Sequence, residues 1–334
     1  AYMDSIPVVV ISGQVASHLI GSDAFQETDM MGISRPIVKH SFLVQSAEEI
    51  PVVIKKAFHI ATSGRPGPVV IDVPKNMTDP NYKFDYKYPK DLVMRSFPIL
   101  GKGDDEKIAA AIELFRSSKK PVIYSGGGTI QADASKELTE FSKLIGCPVT
   151  NTLMGLGAFP GNDDQFIGML GMHGTYEANM VMSEADLIFN VGARFDDRIT
   201  NNPSKFGLAA KKIHIDSDPS SIDKIIGVDL AIEGDAKLVM QQLIEQVKAS
   251  GFDQAIYKDW WSKVEAWRKA HGLNHDMLNL KNEQDIILPQ QVIQSLYQTT
   301  KGDAYVTSDV GQHQMFAAQY YNCLLYTSPS PRDS

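Results

Sequence analysis

The sequence predicts an α/β fold built from doubly wound parallel sheets. Between residues 104 and 250, short apolar strands alternate with amphipathic helices, the pattern of a parallel sheet covered on both faces. Small or polar residues, glycine above all, follow those strands directly, where ligands sit outside the carboxyl ends of a parallel sheet. Composition agrees: 43% hydrophobic and 22% charged residues are an ordinary globular balance, and 334 residues suggest two or three domains.

Taken in order, residues 8–12 read as a buried-type strand and 69–73 as a second, with a helix at 48–61 between them whose stripe Val52, Lys56 and Phe58 partly trace. Pro66, Pro68 and Pro74 frame the second strand at its ends, where proline is tolerated. The chain turns rich in Pro, Tyr, Lys and Asp from residue 79. A first domain is therefore set at 1–90 and a linker at 91–103. Asp104 or Asp105 caps a helix with Ile108, Ile112 and Phe115 on one face. A strand at 121–125 runs into three glycines. A helix from Asp133 carries Leu138, Phe141 and Ile145 and stops at Gly146. Strands at 149–152, 187–191, 212–216 and 230–233 follow, then a helix at 236–247 with Val239, Leu243 and Val247 on one side. These elements form a central domain at 104–250. Residues 251–285 connect it onward, with Trp260, Trp261 and Trp267 expected between domains. Residues 286–321 start a further domain with a helix carrying Val292 and Leu296 and a strand at 304–307. Residues 322–334 form a Ser/Pro-rich tail that reads as foreign to the fold, and the entry at Ala1 straight into a strand reads as a truncation.

Several function classes fall away. No apolar run approaches the ~18 residues of a membrane span. The net charge of −8, without a basic cluster, argues against a nucleic-acid surface. Cys147 and Cys323 have no CxxC-type spacing, which disfavours a disulfide framework or structural zinc; no metal ligands are assigned, and a reducing cytoplasm fits. No signal peptide is visible.

The chemistry-bearing residues lie just after the predicted strands: Gly126-Gly127-Gly128, Thr152-Leu153-Met154, Gly192-Ala193-Arg194 with Asp196 and Arg198, Asp216, and Gly234-Asp235-Ala236. Glycine lets a backbone approach a ligand, free N–H groups face phosphate, and arginine adds planar donors. Any one glycine is better explained by a tight turn, but five such stretches on one sheet edge suggest an elongated nucleotide. The triple glycine does not satisfy GxGxxG, and the next strand ends at Asn151-Thr152 rather than an acid, so a hydride-transferring Rossmann site is not supported. A methionine-rich stretch, Gly168-Met169-Leu170-Gly171-Met172-His173-Gly174, reads as a flexible loop.

The ordered set GQV, DAFQE, SGRPGPV, DVPK, SGGG, TLMGLGAFPG, GMLGMHGTYEAN, VGARFDDR, HIDSDP, GDA and SDVGQHQM resembles the acetohydroxyacid synthase family, over residues 1 to about 321. The resemblance implies a central FAD-binding domain flanked by partial thiamine-diphosphate-binding domains, with 1–90 the end of a pyrimidine-binding domain and 286–321 the start of a diphosphate-binding one. It implies flavin contacts at Arg65, Gly126, Gly127, Gly128, Thr152, Leu153, Met154, Leu170, Gly171, Met172 and His173. Further flavin contacts are implied at Gly192, Ala193, Arg194, Asp196, Arg198, Ile199, Asp216, Gly234, Asp235 and Ala236. Gln26 and Lys75 match positions lining the substrate channel, and Val310, Gly311, Gln312 and His313 match first contacts to thiamine diphosphate. Arg198 is expected to orient an acceptor carboxylate, with Met172 shaping its pocket. The implied activity decarboxylates pyruvate on thiamine diphosphate and joins the two-carbon unit to pyruvate or 2-oxobutanoate, with Mg2+ and a structural FAD. A homodimer or homotetramer of catalytic subunits and a regulatory small subunit are implied partners. The family's catalytic glutamate and magnesium motif match no position here, so the chain alone is expected to be inactive. Other thiamine-dependent decarboxylases or ligases, and a non-catalytic nucleotide-binding module, are the competing expectations.

Overall fold

A computed structural model describes residues 1–92, 94, 96–280, 286–304 and 306–322. The tail from 323 onward, with Cys323, lies outside the described residues, as does Tyr305 within the strand expected at 304–307, whose other residues are not in strand conformation. The chain divides into two compact units, Ala1–Leu100 and Gly101–Ser330.

In the first unit three parallel strands, β1 (Val9–Gln14), β2 (His40–Leu43) and β3 (Val69–Pro74), pair in the order β1-β3-β2. A short helix α1 (Met30–Ser34) and the longer α2 (Ile50–Thr62) connect them. β3 is central, so its Val-Val-Ile run is buried on both faces. Two expectations need correction here. β1 is not a buried strand: it lies at the sheet edge, with Val10 38% and Ile11 64% exposed. The buried face of α2 is Val53, Ala57, Ile60 and Ala61, not Val52, Lys56 and Phe58. Spacings of four, seven and eight put the former on one side of a 3.6-residue helix, and Phe58 points to solvent. β2 was not foreseen, because His-Ser-Phe-Leu has too few apolar residues to read as a strand.

The second unit holds a parallel sheet in the order β6-β5-β4-β7-β8-β9. Its elements are α3 (Asp105–Ser117), β4 (Pro121–Ser125), α4 (Gly127–Gln131), α5 (Ser135–Ile145), β5 (Val149–Asn151), β6 (Phe166–Met169), α6 (Tyr176–Glu184) and β7 (Leu187–Val191). They continue with α7 (Asp197–Thr200), β8 (Lys211–Asp216), β9 (Leu230–Glu233), α8 (Ala236–Ser250), α9 (Lys258–His271), α10 (Pro289–Thr300) and α11 (Gln312–Tyr320). Asp104 caps α3 by accepting from the N–H groups of Glu106 and Lys107, and Gly146 ends α5 at φ +80°, a left-handed turn that glycine adopts without strain. One sheet face buries α3, α5 and α8 around Phe115, Phe141 and Phe189, whose ring centroids lie 5.2–5.5 Å apart. The other face buries Val181 and Met182 of α6 and Trp260 and Val264 of α9.

The tryptophans are a third correction. Trp260 is buried in this unit's own core and donates from Nε1 to the Pro121 carbonyl at 3.1 Å, while Trp261 donates to the Gly146 carbonyl at 2.7 Å. α4, β6 and α6 were also not foreseen, and β6 occupies part of the stretch expected to be a flexible loop. No helix among the described residues is long and apolar enough to cross a membrane. Phe115 is fully buried between two aromatic rings. Replacing it with alanine should cost about 3–5 kcal/mol in urea unfolding, through lost burial and the cavity left behind.

Candidate functional site

The order β6-β5-β4-β7-β8-β9 winds outward in both directions from the β4/β7 pair, so the chain reverses there. At such a switch point the loops leaving neighbouring strands diverge and leave a crevice above the carboxyl edge. All six strands are parallel, and every predicted flavin position of this unit is carried at that one edge.

The main chains of the β4 and β7 loops interlock. Gly126 N–H donates to the Val191 carbonyl at 2.9 Å and Gly128 N–H to the Gly192 carbonyl at 3.0 Å. A Cβ at Gly126 would lie 2.3 Å from the Gly192 carbonyl oxygen, and one at Gly192, where φ is +60°, would lie 2.7 Å from the Gly128 Cα. Gly155, after β5, would meet the Ser125 carbonyl at 2.5 Å. Close packing of backbone on backbone therefore explains these glycines, and it leaves Gly127 and Gly128 half-buried at the carboxyl edge.

Above this interlock the loop after β7 is held from beneath. The buried Asn190 amide donates to the Ala193 carbonyl at 2.8 Å and accepts from the Ala193 N–H at 3.2 Å. Phe195, buried at φ +36°, packs its ring between Tyr124 and His214, with centroids 5.8 and 5.4 Å away. Burial, and then the charge of Asp196, raise the Tyr124 phenol above its ordinary range, while Arg194 pulls the other way. With Ala193 and Phe195 turned inward, Arg194 is left half-buried at the crevice. Its guanidinium makes no hydrogen bond or ion pair among the described residues. Asp196 caps α7 by accepting from the Arg198 N–H at 3.0 Å; Arg198 itself is exposed, 4.0 Å from the Asp197 carboxylate. Ile199 is half-buried beside it.

To one side of the switch point stands Asp216, buried at the end of β8, accepting from the Asp218 N–H at 2.8 Å. Its Oδ2 lies 3.4 Å from Nε2 of His214, a buried imidazole with no aligned hydrogen-bond partner. Asp235 caps α8 through the Leu238 N–H at 3.1 Å; Gly234 and Ala236 beside it are buried. To the other side, Thr152 Oγ1 accepts from the Gly155 N–H at 2.9 Å, Leu153 is 41% and Met172 70% exposed, and Leu170 is buried. Met172 is thus not core filler. The His173 carbonyl accepts from Nε2 of Gln319 on α11 at 2.8 Å. Val310, Gln312 and His313, at the start of α11, are exposed, and Gly311 is half-buried.

In the first unit the motifs GQV and DVPK meet. Ser12 Oγ donates at 2.8 Å and Gln14 Nε2 at 3.0 Å to the buried Asp72 carboxylate, and Lys75 is exposed immediately after β3. Gln26 sits at φ +67° in an exposed loop wrapped around Glu27, whose carboxylate is held below its usual range by the N–H groups of Gly21 and Ala24. Arg65 donates from Nε to Ser5 Oγ at 2.8 Å and from Nη2 to the Met3 carbonyl at 3.2 Å.

Sequence reasoning overlooked Asn190 and His214. Their signal was present: Asn190 is a polar residue inside an otherwise apolar strand, and His214 lies between two buried isoleucines, so a buried hydrogen bond or a ligand must explain each. Asn151 is a third such case, fully buried at the end of β5 with neither amide atom partnered among the described residues.

At Gly192 an added methyl group meets both a positive φ and a backbone contact. Gly192→Ala should lower stability by at least about 1–3 kcal/mol in thermal or urea unfolding, since nothing flexible lies in the way to move aside.

Residues 108–243 match the model of the thiamine pyrophosphate enzyme central domain. The chain is 54% identical over 321 residues to an acetolactate synthase large subunit of Buchnera aphidicola (subsp. Schizaphis graminum), covering 96% of this chain and 55% of that protein. It is 53% identical over 323 residues to the acetolactate synthase isozyme 3 large subunit of Escherichia coli K12, covering 96% and 55%, and 51% identical over 322 residues to an acetolactate synthase large subunit of Haemophilus influenzae, covering 96% and 55%. The chain thus spans little more than half the length of these curated relatives. Residues 108–243 are thus similar to the thiamine pyrophosphate enzyme central domain, and the chain is similar to acetolactate synthase large subunits along nearly all of its length.

Proposed function

We propose that this chain is the central part of an acetolactate synthase catalytic subunit, and that it holds FAD extended across the carboxyl edge of the six-stranded sheet. The observation that carries the reading is Arg194: a half-buried guanidinium without a protein partner among the described residues, on the loop that interlocks with the half-buried Gly127–Gly128 main chain at the switch point. A planar cation and a backbone N–H such as that of Gly127 are donors a diphosphate requires, the Gly128 N–H being bonded to the Gly192 carbonyl. The buried Asp216 carboxylate suits a ribose hydroxyl or an adenine amine. On the opposite side of the diphosphate, the exposed apolar Leu153 and Met172 suit a flat ring. The chemistry of this donor set fits the flavin dinucleotide.

In the full-length protein the proposed reaction joins pyruvate to pyruvate or 2-oxobutanoate with loss of CO2. Thiamine diphosphate with Mg2+, when bound, supplies the electron sink that decarboxylation of a 2-keto acid needs. Val310, Gly311, Gln312 and His313 would hold part of it. Gln26 and Lys75 line the route of the substrate, and Arg65 is assigned to the flavin. Arg198, with its fork exposed to solvent, orients the carboxylate of the acceptor by a bidentate contact, and Met172 limits the size of the pocket beside it. The flavin does no net redox work in this reading. A homodimer or homotetramer in the cytoplasm, with a regulatory small subunit, completes it; the relatives' own designation as large subunits supports that partner.

The test is titration of the purified chain with FAD and with ADP. Arg194→Gln should weaken both by about ten- to a hundredfold, the worth of a charge-assisted hydrogen bond of about 1.5–3 kcal/mol. Unchanged affinities would remove the reading. In the full-length enzyme, Arg198→Lys should raise the KM for the acceptor keto acid while flavin content stays constant.

A further inference from the structure

The motif GTYEAN ends in Asn179, a residue to which no role has been given so far. Its side chain, at the surface of α6, is committed entirely to the loop that follows β6. Nδ2 donates to the Gly171 carbonyl at 3.0 Å and to the Thr175 carbonyl at 2.9 Å, and Oδ1 accepts from the Gly171 N–H at 3.2 Å. One amide thus grips both backbone groups of one loop residue, as the Asn190 amide grips Ala193 on the neighbouring loop.

Gly171 itself stands at φ +109°, outside the range of L-residues. A Cβ there would lie 3.0 Å from Cδ1 of Ile199 and 3.2 Å from the Arg198 carbonyl oxygen. The β6 loop is therefore pressed, at Gly171, against the segment that carries Arg198. The next two residues are Met172, 70% exposed, and His173, whose carbonyl is bonded to Gln319. Whatever fixes Gly171 fixes where Met172 stands relative to Arg198.

We infer that Asn179 is a positioning residue: its amide locks Gly171 against Arg198 and Ile199, and so sets the part of the crevice that receives the flat ring end of the flavin, not the adenosine end. The inference rests on the flavin reading above. Its physical basis is that strained loop conformations persist only where the surroundings over-determine them, and here one side chain supplies three of the determining bonds. Asn179 is bonded neither to the diphosphate donors, which follow β4 and β7, nor to Asp216 at the end of β8.

The experiment compares FAD with ADP as probes on the full chain carrying Asn179→Ala. ADP lacks the ring, so its affinity reports the rest of the site and the integrity of the fold. FAD should bind about tenfold or more weakly with altered visible circular dichroism, while ADP affinity stays within about twofold of wild type. Asn179→Asp, which keeps the acceptor for Gly171 N–H but loses both donated bonds, should fall between and provides a milder variant if the alanine protein does not fold. Equal loss for FAD and ADP would reduce Asn179 to a structural residue and overturn the inference. So would unchanged FAD affinity and spectrum in both variants. A wild-type chain that binds ADP but no flavin would overturn the flavin reading itself, which the variants alone cannot do.

Discussion

The carboxyl edge of the larger sheet depends on one steric constraint, the contact of the β4 and β7 loops backbone to backbone. Gly126, Gly128 and Gly192 meet with no space for a single methyl group, and the N–H groups of Gly126 and Gly128 are bonded to carbonyls of the opposing segment. Interiors this dense do not deform gradually. The consequence runs outward from the contact: with the two loops locked, the Asn190 amide can grip Ala193, Phe195 can fill the space between Tyr124 and His214, and Arg194 has only the crevice left to face. A cation presented by so many buried restraints needs little reorganisation when an anion arrives.

Much of this architecture was legible in the chain. The strands 187–191 and 230–233 were read with the bounds found, because Leu-Ile-Phe-Asn-Val and Leu-Ala-Ile-Glu are short apolar runs between turn signals. The Gly146 stop, and a cap narrowed to Asp104 or Asp105, were read from capping chemistry alone; the structure has Asp104. The unread elements share a different property. β2 and β6 have few apolar residues or contain a glycine, and α4 begins Gly-Gly-Thr; tertiary contacts, not local preference, fix them. The misread face of α2 arose because Val52 and Phe58 are as apolar as the residues that turned inward.

The site shows the same division. Glycines and arginines at strand ends announce themselves by type and position. The residues that hold them in place do not, because an asparagine bonded to a loop backbone looks, in sequence, like any polar surface residue. Asp72 in the smaller unit illustrates the limit: its motif was visible, yet only the register of β1 against β3, which sets Ser12 opposite Asp72, reveals that the GQV and DVPK motifs form one hydrogen-bonded cluster around a buried carboxylate. In both units the polar side chain beneath a loop, and not the loop's own sequence, decides which way the loop faces.

The two indole hydrogen bonds of α9 have a mechanical meaning. Trp260 is anchored to the first residue of β4 and Trp261 to the turn that closes α5, so this helix is pinned at two separate points of the sheet layer. A pull on the chain beyond His271 would load those bonds and the buried Trp260 ring together, in shear, before reaching α8. Both anchors lie at the amino ends of β4 and β5, opposite the crevice, so α9 is held to the layer independently of the loops that form the site.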